Sequence, residues 1–138
     1  MVKVQVQDPV ARDQATGGHA VARIYEVVKT GESLSAEELQ LGSPELKRLY
    51  ARREALRIRT DGVLEIRLIV NRKARWCAVC PPATRKTVVW ETHGLAHVGM
   101  NRTVARLQLV WYWPGMVAEV RRTLRSCEVC QVAKPAAT

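Results

Sequence analysis

Apolar positions along the chain change period twice, and the changes divide it. Residues 1–18 show little periodicity: scattered polar residues, Pro9 and the Gly17-Gly18 pair predict a flexible arm. From Ala20 to about Lys29, Val21, Ile24, Val27 and Val28 recur at helical spacing, and Gly31 ends the run. Ser35 followed by Glu38 reads as a capping box, and Ser43-Pro44-Glu45 as a second helix start with proline at the first helical position. The helix after Ser43 carries Leu46, Leu49 and Tyr50 on one face, with Lys47, Arg48, Arg52 and Arg53 elsewhere. The period then drops to two. Leu56-Arg-Ile58-Arg-Thr60 and Val63 to Val70 alternate apolar and charged residues about Asp61-Gly62, which predicts a hairpin, and a third strand over about Arg75 to Cys80 makes a three-stranded antiparallel meander.

Helical spacing returns after Pro81-Pro82, which stop the strand and pre-set a first helical turn. The helix they open reaches about His93, with Val88 and Val89 inward, Arg85 and Lys86 outward, and Gly94 as its C-cap. A second helix runs from Thr103 to about Leu109 with Val104, Leu107 and Leu109 apolar. A third begins at Pro114-Gly115-Met116 and reaches Cys127, with Val117, Val120 and Leu124 on its inner face. The expected fold class is α+β. An arm (1–18) precedes an extension of helices and a small antiparallel sheet (19–80), then a small three-helix domain (81–131) and the start of a linker (132–138).

Length allows one domain or two very small ones, since 138 residues leave each half near the size at which a core alone is marginal and a metal commonly completes it. No stretch approaches the roughly 18–20 apolar residues of a membrane helix, and the first residues lack the apolar core of a signal peptide, so a soluble intracellular chain is expected. Charge is unevenly placed. Of the net +9, residues 1–70 hold only +1, with 11 Lys/Arg against 10 Asp/Glu, while residues 71–138 hold +8, with 11 against 3. A surplus of that kind favours polyanions through phosphate neutralisation without specifying sequence; the plainer reading is solubility.

The chemistry is concentrated in the same half. His93, His97, Cys127 and Cys130 form His-x3-His-x29-Cys-x2-Cys, two close pairs of the ligand types that Zn²⁺ prefers in closed structural sites. With four protein ligands no coordination position remains for a water nucleophile, so one structural zinc and no catalysis is expected. Cys77 and Cys80 offer a competing four-Cys site or a redox pair. Residues three apart in a strand point to opposite faces, however, and that site would orphan both histidines, so packing is the expected role. His19 has no partner in the sequence and reads as incidental. Trp90 and Trp113 read as core, while Trp111 and Tyr112 divide evenly between core and stacking surface.

The residues around the ligands narrow the reading. Gly99-Met-Asn-Arg-Thr-Val-Ala-Arg-Leu107, Trp111-Tyr112-Trp113-Pro114-Gly115-Met116 and Cys127-Glu-Val-Cys130-Gln131, with Lys134 after, resemble the His-His-Cys-Cys integrase zinc-binding domain of retroviruses and gypsy-type LTR retrotransposons. The resemblance spans Val79 to Lys134 and departs at Ala96, where many relatives have glycine, and in the extra pair Cys77 and Cys80. It implies a sheet-bearing extension before the zinc domain, self-association through the integrase, and contact with element-end DNA. The candidates for that contact are Arg85, Lys86, Arg102, Arg106, Arg121, Arg122 and Arg125, whose plainer role is a solvated face. It implies neither membrane nor small-molecule substrate, and a nuclear place of work. Integrases of this kind cut DNA with a separate core bearing two Asp and a Glu; here Asp8, Asp13 and Asp61 are the only aspartates, all upstream of the zinc module. The chain therefore reads as a non-catalytic N-terminal part of an integrase, excised or adopted by a host. A protein-interaction module that dimerises without binding DNA is the alternative, and a Cys77/Cys80 dithiol oxidoreductase a remoter one.

Overall fold

The computed structural model describes residues 8–94 and 99–127. Helices α1 (Pro9–Ala15), α2 (Ala20–Thr30), α3 (Ala36–Leu41) and α4 (Pro44–Ala51) precede strands β1 (Leu56–Ile58), β2 (Leu64–Val70) and β3 (Lys73–Val79). Then follow α5 (Pro82–Gly94), α6 (Met100–Leu107), strand β4 (Trp111–Tyr112) and α7 (Met116–Leu124). The α+β class holds. Among the described residues no helix is long and apolar enough to cross a membrane.

Each start signal in the extension is met by a cap. Ser35 Oγ accepts from the Glu38 amide at 3.0 Å and Ser43 Oγ from the Leu46 amide at 3.1 Å, satisfying amides that the first turn leaves without an intrahelical partner. Gly31 closes α2 at φ 75°, where a residue with a Cβ would be strained. His19 is not incidental: its Nδ1 accepts from the Ala22 amide at 3.0 Å and its Nε2 donates to the Asp13 carbonyl at 3.1 Å, capping α2 and tying it to α1. The expected arm is likewise structured over residues 9–15. Gln14 is fully buried; its amide nitrogen donates to the carbonyls of Leu64 at 2.8 Å and Val79 at 2.7 Å, and its oxygen accepts from the Leu64 amide at 2.7 Å. One side chain thus completes the ladder where β2 and β3 part.

The sheet order is β1-β2-β3-β4. The first three strands are the expected antiparallel meander, with Ile66 opposite both Leu56 and Cys77. Its first turn is longer than a two-residue Asp-Gly loop. Arg59 and Val63 close it, and Gly62, at φ 89°, supplies the left-handed residue that a three-residue loop needs. The second turn is tight: Val70 pairs with Lys73, leaving Asn71 and Arg72 at φ 51° and 66°. Strand β4 is the unexpected member. It lies parallel to β3, Ala78 beside Trp111 and Val79 beside Tyr112, with the amides of Ala78 and Cys80 donating to the carbonyls of Val110 and Tyr112 at 2.9 and 2.8 Å.

Two apolar cores lie on either side of this junction. The first gathers Val21, Ile24, Tyr25, Leu49, Leu64, Ile66, Cys77 and Val79 from α2, α4 and the sheet. The second gathers Cys80, Val88, Val89, Leu107, Trp113, Met116, Val120 and Leu124 from α5, α6 and α7. Cys77 and Cys80 are each fully buried, one in each core, as strand alternation requires. Burial pushes the Cys80 thiol up to about 12 and raises that of Cys77, so neither is a ready thiolate, and the dithiol reading fails on geometry and acidity together.

Candidate metal centre

His93 stands on the buried stripe of α5, at four-residue steps from Val89 and Arg85, and is 1% exposed. Val88 and Val89 hold that stripe against the second core, so the helix delivers the imidazole to the place where α6 and the end of α7 converge. There Cys127, 6% exposed, follows α7 in a turn closed by its own amide donating to the Leu124 carbonyl at 3.0 Å. His93 Nε2 lies 3.3 Å from Cys127 Sγ. Two ligands of one tetrahedral zinc, with bonds of about 2.1 Å to nitrogen and 2.3 Å to sulfur, sit roughly 3.6 Å apart. The pair therefore fits one ion. His97 and Cys130, the other two expected ligands, lie outside the described residues.

The other ring nitrogen has a hydroxyl partner on α6. His93 Nδ1 is 3.3 Å from the hydroxyl of Thr103, a fully buried residue of α6, and that hydroxyl is 3.2 Å from the Gly99 carbonyl. With its proton on the Gly99 carbonyl, the Thr103 hydroxyl can accept from Nδ1–H. That arrangement would turn the Nε2 lone pair toward Cys127, the orientation a metal ligand needs. Trp90 closes the other side, its ring 6.0 Å from the imidazole and edge-on at 71°. Trp90 itself is 37% exposed, so it walls the site and is not the core residue expected; Trp113, fully buried, is.

Of the seven cations expected to face nucleic acid, six do face solvent. Lys86 on α5, Arg102 and Arg106 on α6, and Arg121, Arg122 and Arg125 on or just after α7 are exposed. Arg121 reaches the Asn101 side chain at 3.5 Å, which puts the polar faces of α6 and α7 side by side. Arg85 is a correction. It was expected outward, yet it is 7% exposed: its fork donates to both Glu45 oxygens at 2.8 and 3.0 Å, its Nε donates to the Cys80 carbonyl at 3.1 Å, and it lies over the Trp113 ring. Period alone could have shown this, because position 85 falls on the stripe of Val88, Val89 and His93. Its partner, 40 residues away, was not visible in the sequence.

Comparison with known proteins agrees with this geometry. Residues 80–136 match the family model of the integrase zinc binding domain. The Pro-Pol polyprotein of feline foamy virus is 28% identical over 67 residues, covering 49% of this chain and 6% of the polyprotein. That of simian foamy virus type 1 is 31% identical over 64 residues, 46% of this chain and 6% of the polyprotein. The simian foamy virus type 3 polyprotein is 27% identical over 56 residues, 41% and 5% respectively. The chain thus spans a small fraction of these relatives' length. Half of its fold, the extension with α1 to α4 and most of the sheet, lies before the matched family segment. Residues 80–136 are thus similar to the integrase zinc binding domain, and the resemblance is confined to that segment.

Proposed function

We propose that the chain is the non-catalytic N-terminal region of a retroelement integrase, working in the nucleus. In this reading it folds around one structural zinc, supports integrase multimerisation and contacts the DNA ends of the element. The observation that carries it is the 3.3 Å approach of His93 Nε2 to Cys127 Sγ within the matched family segment, with the Thr103 hydroxyl 3.3 Å from the other ring nitrogen. His93, His97, Cys127 and Cys130 would be the ligands. Bound there, the ion would cross-link the end of α5 to the end of α7 and stabilise a core that is small for an independent domain.

Lys86, Arg102, Arg106, Arg121, Arg122 and Arg125 are the DNA-facing set, and none forms an ion pair among the described residues. Each phosphate neutralised contributes about −0.9 to the slope of log K against log salt. The test joins zinc content of single-ligand variants to a salt titration of duplex DNA binding by fluorescence anisotropy. One zinc per chain, lost in His93→Ala and in Cys127→Ser, is expected. Replacing Arg102, Arg106 and Arg121 by alanine is expected to flatten the salt slope by about 3 units with zinc retained. Zinc retention in the ligand variants, or a slope near zero for the parent, would overturn the corresponding half of the reading.

A further inference from the structure

A groove of about 520 Å³ runs between the tip of the β2–β3 hairpin and the start of α7. Its walls include Ile69, Val70, Trp111, Met116 and Val117, with Asn71 at the hairpin end. Ile69 is 67% exposed and Val117 37%, an unusual pair of aliphatic side chains to leave in water side by side with a tryptophan. Val117 was expected on the inner face of its helix; α7 instead turns Met116, Val120 and Leu124 inward and gives Val117 to the groove.

Cationic residues adjoin the groove's lining at the hairpin and at α4. Arg72 and Lys73 follow Asn71 directly, and no acidic residue occurs between Glu65 and Glu91. From α4, Arg48 reaches to 3.8 Å of where a Cβ on Gly115 would stand, and Arg52 lies 5.8 Å over the Tyr112 ring. Gly115 and Tyr112 both line the groove. Among the described residues none of Arg48, Arg52, Arg72 or Lys73 has a carboxylate partner.

The turn at the rim breaks a local rule in favour of charge. Both central residues of the β2–β3 turn have positive φ, and such turns take Asn-Gly because glycine alone adopts the second position without strain. Here Arg72 stands at φ 66°. Strain that a glycine would remove, kept at the edge of an exposed apolar groove, points to a use for the guanidinium there.

We propose that this groove docks a short acidic peptide segment of a partner protein, inserting one bulky apolar side chain between Ile69, Trp111 and Val117 while its carboxylates meet Arg48, Arg52, Arg72 and Lys73. Beside Trp111, the aliphatic walls of Ile69, Met116 and Val117 suit an inserted apolar side chain, which a phosphate backbone does not carry. The proposal goes beyond the zinc and DNA reading and does not depend on it.

The test is selection of random dodecapeptides displayed on phage against the whole 138-residue chain, followed by anisotropy titration of the enriched peptides. Enrichment of Asp/Glu together with a bulky apolar residue is expected, with binding weakened about 10-fold or more by Val117→Asp. Arg72→Gly is the decisive variant. It should raise Tm, because the turn is relieved, yet weaken the same peptides about 3- to 10-fold. Peptides without that signature, or binding indifferent to both substitutions, would overturn the proposal. So would full displacement of the peptides by a duplex oligonucleotide, which makes the rim a phosphate surface. Concentration-dependent association of the parent by light scattering that Val117→Asp abolishes would also overturn it, giving the groove to a second copy.

Discussion

Replacing Arg85 with alanine separates two roles that the sequence could not distinguish. A phosphate-contacting arginine on a solvated face would leave stability unchanged and weaken DNA binding. The Arg85 seen here should do the reverse. Its side chain is 9% exposed and that of its partner Glu45 23%, so the pair is largely removed from water but not sealed. Breaking a buried pair by deleting one member costs about 3–5 kcal/mol, because the other charge is stranded. Glu45 regains some hydration, which places the loss toward the lower end, while the Cys80 carbonyl loses a charged donor worth about 1 kcal/mol or more. A net loss of about 3–4 kcal/mol follows, large against the roughly 5–15 kcal/mol of a whole domain. With a urea m-value of about 2 kcal/mol/M, the middle of the range for small domains, the unfolding midpoint should fall by about 1.5–2 M. Arg85→Lys should recover only part, since an ammonium cannot make the two-pronged contact. DNA affinity, read at a urea-free temperature where both proteins are folded, should stay within twofold of the parent. A midpoint unchanged within about 0.3 M, joined to a tenfold loss of DNA affinity, would refute this reasoning and return Arg85 to the exposed set.

Three other outcomes are expected. Thr103→Val should weaken zinc binding by about 10- to 100-fold in competition with a chelating dye, with Thr103→Ser close to the parent; equal affinities for all three would show that His93 needs no hydroxyl behind it. Chelation of zinc should remove hydrogen-exchange protection from Val117 to Leu124 and also from the amides of Ala78 and Cys80, which bond to Val110 and Tyr112, while Ile66 stays protected in the first core; protection kept at Ala78 in the chelated protein would contradict the shared edge. Arg23 donates to Glu32 and Glu38 and holds both carboxyls below their ordinary value of 4.5. Depressed folded-state values stabilise above the unfolded range and are lost as pH falls through the folded ones. The Tm of the parent should therefore drop more steeply below about pH 4.5 than that of Arg23→Gln, and parallel curves would dismiss the network.

What was legible in the sequence was whatever is local. Ser35 and Ser43 cap helices because a hydroxyl needs only the amide three residues on. The meander follows from alternation, and Cys77 and Cys80 go to opposite cores because a strand has period two. What was not legible depends on partners far along the chain. Gln14 looked like one more polar residue of a loose arm, since the backbone groups it bridges are 50 and 65 residues away. Arg85 looked solvated for the same reason. Asn71-Arg72 lacks the glycine that marks a tight turn, which hid the turn and set the expected start of β3 near Arg75, whereas the strand in fact begins at Lys73.

The clearest case is Trp111-Tyr112-Trp113-Pro114-Gly115-Met116. As sequence it offered a choice between core aromatics and a stacking platform. In the fold it is the joint between the halves: Tyr112 packs on the first core, while Trp111 packs on the second and Trp113 lies within it. The backbone of the box adds β4 to the sheet of the extension, and Gly115 at φ 78° then turns the chain into α7, whose far end carries Cys127. A residue pair in strand conformation must send neighbouring side chains to opposite faces. Placing that pair at the edge of β3 therefore divides its aromatics between two cores automatically. The extension and the helical half are in this way stacked on one shared strand edge, and a substitution in the box that moves β4 should disturb the candidate metal centre and the meander together.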